Sequence, residues 1–161
     1  GSLSFDLILS NQTLYYLSDS LLRKFVAETY DLTNEGGFMV ATMVAKSHWF
    51  YSRAITQEGD FHKIDLHRTR FNQFSYINFK EKDELEELFS PFKKSLIGFY
   101  TQNILPEEGP NDHWIYIGRK WYYLLKEWRG WYNIHPGAAN FRFKRKIFLI
   151  YNIYYPLPNL N

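Results

Sequence analysis

Two continuous apolar runs on either side of one amphipathic stretch constrain this chain more than anything else in it. Phe5–Leu9 is apolar except for Asp6, and Phe38–Ala45 (FMVATMVA) is an unbroken run of strand length. Continuous rather than alternating apolarity belongs to parallel strands covered on both faces. Between the runs, Ser18 or Asp19 can cap a helix. Leu21, Leu22, Phe25, Val26 and Tyr30 then recur at helical spacing and give it one apolar face. Gly36–Gly37 is expected to end that helix, because glycine tolerates positive φ. Strand, helix and strand form a βαβ unit, which crosses over right-handed. The predicted class is α/β.

From Lys46 to Phe74 no period survives. His48, Trp49, Tyr51, Arg53, His62, His67, Arg68 and Arg70 crowd a stretch expected to lie over the sheet as loop or irregular structure. FSYINF (Phe74–Phe79) reads as a short strand. KEKDELEELFSPF sets Leu85, Leu88, Phe89 and Phe92 on one face of an acidic helix stopped near Pro91, with Glu81–Glu87 as its solvated side. SLIGFYTQN is strand-like, LPEEGPND is a turn-rich connector, and HWIYIGRK alternates His113, Ile115 and Ile117 against Trp114 and Tyr116. A helix and an antiparallel strand pair therefore follow the parallel unit. In the tail, WYYLLKEWRGWY reads as a short helix, FRFKRKIFLIYNIYY as a strand or strand pair, and PLPNLN as an extended end.

Composition narrows the function. A chain of 161 residues fits one domain with a real core. Its 13 Tyr, 14 Phe and 5 Trp are an unusual aromatic load. Most of these fill the core, and some can stack on flat or cationic ligands. With no cysteine, disulfides, thiolate catalysis and zinc–thiolate sites are excluded. No apolar run reaches the roughly 18–20 residues of a membrane helix. No secretory pattern leads the chain, so a cytoplasmic protein is expected. Charge is uneven: six Lys/Arg and one Glu lie from Trp121 onward, leaving 13 basic and 16 acidic residues in 1–120. That shift divides the chain into a 1–120 domain and a basic aromatic tail, 121–161.

The stretch FDLILSNQTLYYLSDSLLRKFVAETYDLTNEGGFMVATM resembles the second half of the nucleotide-binding core of class I S-adenosylmethionine-dependent methyltransferases. The resemblance rests on Asp6, Ser10–Asn11–Gln12, Leu14–Tyr15–Tyr16–Leu17, Gly36–Gly37 and Phe38–Met43. FSYINFKEKDELEELFSPFKKSLIGFY and NDHWIYIGRK are similar to that fold's last helix and closing antiparallel pair, so the likeness covers about residues 3–120 in the family's order. It implies a Rossmann-like sheet, of which this chain is the carboxyl-terminal half, and S-adenosylmethionine as cofactor. The family's glycine-rich loop is missing: no G-x-G-x-G occurs, and the Gly36–Gly37 pair lies in a different element. The chain is thus expected to start at the fourth strand of a seven-stranded sheet. Phe5–Leu9 would then lie beside the absent first strand. Left bare, that edge would invite self-association or the missing amino-terminal half; the tail folding back over it is the other outcome.

The resemblance implies methyl transfer to a small-molecule acceptor. Asn11 and Gln12, at the strand's carboxyl end, are placed to meet cofactor or acceptor; the plain reading is a polar helix-entry turn. Tyr15 and Tyr16 can turn ring faces toward a sulfonium, or one can pack under the helix. Tyr51 and Arg53 follow the second strand, where the family places acceptor-binding loops. His48 there can take a proton from an acceptor, or be an ordinary hydrogen-bonded histidine. His62 and His67 flank Asp65 without metalloprotease spacing, and no metal is expected. The rival class is an RRM-like RNA-binding module built on RFNQFSYINF, disfavoured by the net acidic body. A non-catalytic methyltransferase remnant acting through a partner is the third reading.

Overall fold

The predicted βαβ unit forms in the computed structural model, which describes residues 3–103, 108–121 and 147–151. β1 (Phe5–Asn11) and β2 (Thr33–Val44) lie parallel, Leu7 opposite Phe38 and Ser10 opposite Ala41, joined by α1 (Asp19–Leu32). Ser18 caps α1, its hydroxyl accepting from the Leu21 N–H at 3.4 Å. The buried stripe is Leu22, Val26 and Thr29; Leu21, expected inside, is 51% exposed because it sits one residue off that stripe.

Gly36–Gly37 does not end the helix. α1 stops at Leu32, where Thr33 turns extended and its hydroxyl donates to the Thr29 carbonyl at 2.7 Å. The glycines lie inside β2 at an irregularity where pairing steps from Phe5–Thr33 to Leu7–Phe38. Gly36 has φ 77°, and a Cβ on Gly37 would meet the Asn34 carbonyl oxygen at 2.8 Å.

α2 (Lys82–Leu88) begins with a capping box: the Glu81 N–H donates to Glu84 Oε2 at 2.8 Å. Leu85, Leu88, Phe89 and Phe92 are all buried, as predicted, each contributing about 1.5–3 kcal/mol. Tyr116 stacks on Phe89 with centroids 4.4 Å apart, its hydroxyl at the Phe89 and Phe92 carbonyls. Burial pushes that phenol up to about 12.

The main sheet is ordered β6-β7-β2-β1-β8, with β6 (Lys93–Gln102), β7 (Asn111–Arg119) and β8 (Ile147–Tyr151). β7 runs antiparallel to both β2 and β6, which is the predicted closing pair. β8 lies parallel to β1 on its other flank, from Leu7–Ile147 to Asn11–Tyr151. A tail strand therefore covers the flank of β1, and β1 is interior.

One sheet face is packed: Ile8, Met39, Ala41, Met43 and Tyr116 are buried there with the helices. Register places Leu7, Phe38, Val40, Ile117, Leu96 and Ile147 on the opposite face, where Leu96 and Ile147 are 51% and 55% exposed. A groove of about 690 Å³ runs along this face between β1, β2 and β7. Among the described residues, no helix is long and apolar enough to cross a membrane.

Lys46–Phe74, expected to be irregular, holds two strands of a second sheet, and the predicted strand at Phe74–Phe79 supplies the third. After a 3-10 turn at Tyr51–Arg53 come β3 (Ala54–Glu58), β4 (Phe61–Asp65) and β5 (Phe74–Ile77), an antiparallel meander. Its apolar pattern is faint because β3 is almost wholly exposed and Ile64 and Ile77 carry most of the buried side. Phe74 and Tyr76, on the strand of the RNA-binding alternative, point outward from this three-stranded sheet with the Lys63 ammonium 4.4 Å and 6.0 Å from their ring centroids. Beyond Trp121, the expected helix WYYLLKEWRGWY lies outside the described residues. So do the extended end PLPNLN and FRFKRKIFLIYNIYY apart from β8.

Candidate functional site

The polar corner at the carboxyl end of β1 is locked from the neighbouring strand. Gln12 is left-handed, φ 52°, and turns the chain out of β1 toward a 3-10 turn at Leu14–Tyr16. Such a conformation in a non-glycine residue needs support. Thr42 of β2 provides it: its hydroxyl accepts from the Gln12 N–H at 2.7 Å and donates to Asn11 Oδ1 at 3.2 Å. Thr13 donates to the Asn11 carbonyl at 2.9 Å.

Aromatic rings continue the corner sideways. Tyr100, near the end of β6, has its hydroxyl near the side chains of Gln12 and Thr42; burial raises its phenol, and these neighbours oppose the rise. Its ring lies flat on His113, centroids 5.2 Å apart and planes 10° apart. His113 stands edge-on to His48 at 5.3 Å and lies 6.4 Å from Tyr15, which is buried against Tyr16 at 4.6 Å. Asn11, Gln12, Tyr15, Tyr16 and His48 therefore join one contiguous cluster. The residues that join them are Thr42, Tyr100 and His113, none of which the sequence reading singled out. Register brings them in: β7 antiparallel to β2 sets the start of β7 and the end of β6 beside the carboxyl end of β2.

Tyr51 and Arg53 lie further off, on the meander side. Tyr51 packs on His62 and Phe79, both at 5.1 Å, and the Arg53 guanidinium sits 5.3 Å over Trp49. Trp49 links them to the cluster by stacking on His48 and donating its indole N–H to Asn111 Oδ1 at 3.0 Å.

Both central histidines are held neutral. His48 is buried, and desolvation, reinforced by the repulsion two protonated rings would feel beside His113, lowers it to about 3. His113 is lowered by burial too, against the opposing Asn111 carbonyl and Asp112 charge. His67 pairs with Asp65 at 3.0 Å on the exposed loop. Among the described residues, no group of three or more His, Cys, Asp or Glu could hold a metal ion.

β8, β1 and β2 are parallel and end on this side of the sheet, where ligands of open α/β sheets bind. Amide, hydroxyl and ring groups at this end of β1 and β2 suit a small polar ligand. A glycine-rich phosphate- or methionine-cradling loop is not among them.

The fold has known counterparts. The chain is similar to the crystal structure of a SAM-dependent methyltransferase from Methanosarcina mazei, with 14% identity and a TM-score of 0.59; the match covers 74% of this chain and 60% of that one. An S-adenosylmethionine-dependent methyltransferase from Clostridium acetobutylicum superimposes with 12% identity and a TM-score of 0.52, over 75% and 60% of the two chains. The chain thus spans about three fifths of the length of these structures. No protein-family model and no curated protein matches the sequence. At this identity the likeness establishes the fold, which is the Rossmann-like sheet of S-adenosylmethionine-dependent methyltransferases in part.

Proposed function

We propose that this chain supplies the carboxyl-terminal half of a cytoplasmic S-adenosylmethionine-dependent methyltransferase domain acting on a small-molecule acceptor. Asn11, Gln12, Tyr15 and Tyr16 border the methyl donor, and Tyr51 and Arg53 lie toward the acceptor. The observation that carries the reading is the left-handed Gln12, held by Thr42 at the mouth of parallel strands. A non-glycine residue held in that conformation at a strand end supports reading the corner as a site.

Methyl transfer is an in-line displacement at a sulfonium carbon, so what it asks of a protein is alignment and exclusion of water. S-adenosylmethionine supplies the activated methyl group when bound. The amides of Asn11 and Gln12 orient a polar ligand, and the rings of Tyr15, Tyr100 and His113 make a weakly hydrated wall. The open apolar face around Leu7, Phe38 and Ile117 suits the remaining layer of such a domain, supplied by an amino-terminal half or a second copy.

Calorimetry of the full chain with S-adenosylhomocysteine tests this. Saturable heat is expected, with Gln12→Ala weakening binding by about five-fold, the worth of one hydrogen bond. No saturable heat, or equal binding by the variant, overturns the reading.

A further inference from the structure

We propose that His113, and not His48, is the residue of this site that accepts the proton a methyl acceptor gives up; the inference rests on the methyl-transfer reading above. The two imidazoles are 5.3 Å apart, but their hydrogen bonds fix opposite tautomers. His48 Nδ1 accepts from the Phe50 N–H at 3.0 Å, so the proton of the neutral ring is on Nε2. His48 has no lone pair left to give. His113 Nδ1 lies 3.2 Å from the Asn111 carbonyl oxygen, which can only accept, so Nδ1 carries the proton. Nε2 of His113 is then bare, since the hydrogen bond this ring makes among the described residues is the one at Nδ1. A neutral imidazole oriented through Nδ1 by a backbone carbonyl is a standing proton acceptor.

Position agrees with this. His113 is paired in register with Tyr100 on β6 and Val44 on β2, so it shares the sheet face of Asn11 and Thr42. Tyr100, stacked on it, has the Gln12 and Thr42 side chains near its hydroxyl. The groups around His113 are the Asp112 carboxylate, the neutral His48 ring and the Tyr15 and Tyr100 rings. In the step, a hydroxyl or amine of the acceptor forms its bond to the methyl carbon as the carbon–sulfur bond breaks, and that electron pair stays on sulfur. The acceptor's proton moves to His113 Nε2, leaving an imidazolium next to Asp112.

The test is diethyl pyrocarbonate modification of the full chain at neutral pH, mapped by peptide mass spectrometry with and without S-adenosylhomocysteine. The reagent attacks only bare imidazole nitrogens that a small molecule can reach. His113 is expected to react at least about ten-fold faster than His48, and S-adenosylhomocysteine is expected to slow it. His113 as inert as His48 overturns the assignment and leaves the methyl-transfer reading standing. A reactive His113 indifferent to S-adenosylhomocysteine overturns that reading and the proposal with it. Long-range nitrogen–proton NMR spectra add a second check: a proton on Nε2 of His113 contradicts the assignment whatever the modification shows.

Discussion

Tyr100 and His113 face each other across the β6–β7 pair with their ring planes only 10° apart, and the Gln12 and Thr42 side chains act on the Tyr100 hydroxyl. The stack and the hydroxyl can be separated by substitution. Tyr100→Phe keeps the ring on His113 and removes only the polar reach, so urea denaturation should show a loss of about 0.5–1.5 kcal/mol. An unchanged midpoint would mean that the hydroxyl is not tied to the corner.

Thr42 serves Gln12 and Asn11 with one hydroxyl. Thr42→Val keeps the volume but strands the Gln12 N–H, which should cost about 1–3 kcal/mol. Hydrogen exchange at the Gln12 amide should speed up in step with that loss. Thr42→Ser, which keeps the hydroxyl, should restore most of both.

Lys80 is nearly buried, its side chain 8% exposed, with its ammonium 2.7 Å from Asp19 Oδ1 and 3.8 Å from Glu84. Partial burial alone would raise the Asp19 carboxyl, but hydrogen bonds from Lys80 and Asn78 and the charges of Lys80 and Arg23 outweigh it and lower the group. Lys80→Met keeps the aliphatic stem and removes the charge. Because Asp19 is 40% exposed, the expected cost is only about 1–2 kcal/mol. A carboxyl lowered by folding stabilises above its unfolded value of about 3.9, and that contribution disappears as pH falls through the folded value. The gap between wild type and Lys80→Met should therefore be constant from pH 5 upward, and narrow in stronger acid.

The histidine pair works over a different window. His48 and His113 are both lowered in the fold, His48 to about 3. Above about pH 6.5 neither state binds the proton, so stability is flat on their account. Below it the unfolded chain takes up protons that the folded chain refuses, and stability falls by up to about 1.4 kcal/mol per pH unit for each ring. Urea midpoints should drop between pH 7 and 5, and His48→Gln should make that slope shallower by about one proton.

Local physics wrote much of this fold into the chain. Phe5–Leu9, the Ser18 cap, the Leu85–Leu88–Phe89–Phe92 stripe and the β6–β7 pair follow from periodicity and capping, which neighbouring residues decide. Gly36–Gly37 misled because a glycine pair serves a bulge as readily as a helix end, and only the packing of Gly37 against the Asn34 and Asp6 carbonyls distinguishes the two. Of the meander, β5 was legible in FSYINF, whereas β3 and β4 were hidden because β3 is almost wholly exposed and the buried side is carried by few residues. In the site, Asn11, Gln12, Tyr15 and Tyr16 lie within six residues of one another and could be marked from the strand end. Tyr100 and His113 enter only through long-range register.

Backbone amide chemical-shift mapping of the full chain with S-adenosylhomocysteine tests the central claim most directly. The largest changes are predicted at Asn11, Gln12, Thr42 and Tyr100, with Phe38 and Arg119 at the far end of the sheet silent. Changes gathered instead around Phe74 and Tyr76 on the meander, or along the open face near Phe38 and Ile117, would contradict a methyl-donor site at the mouth of β1.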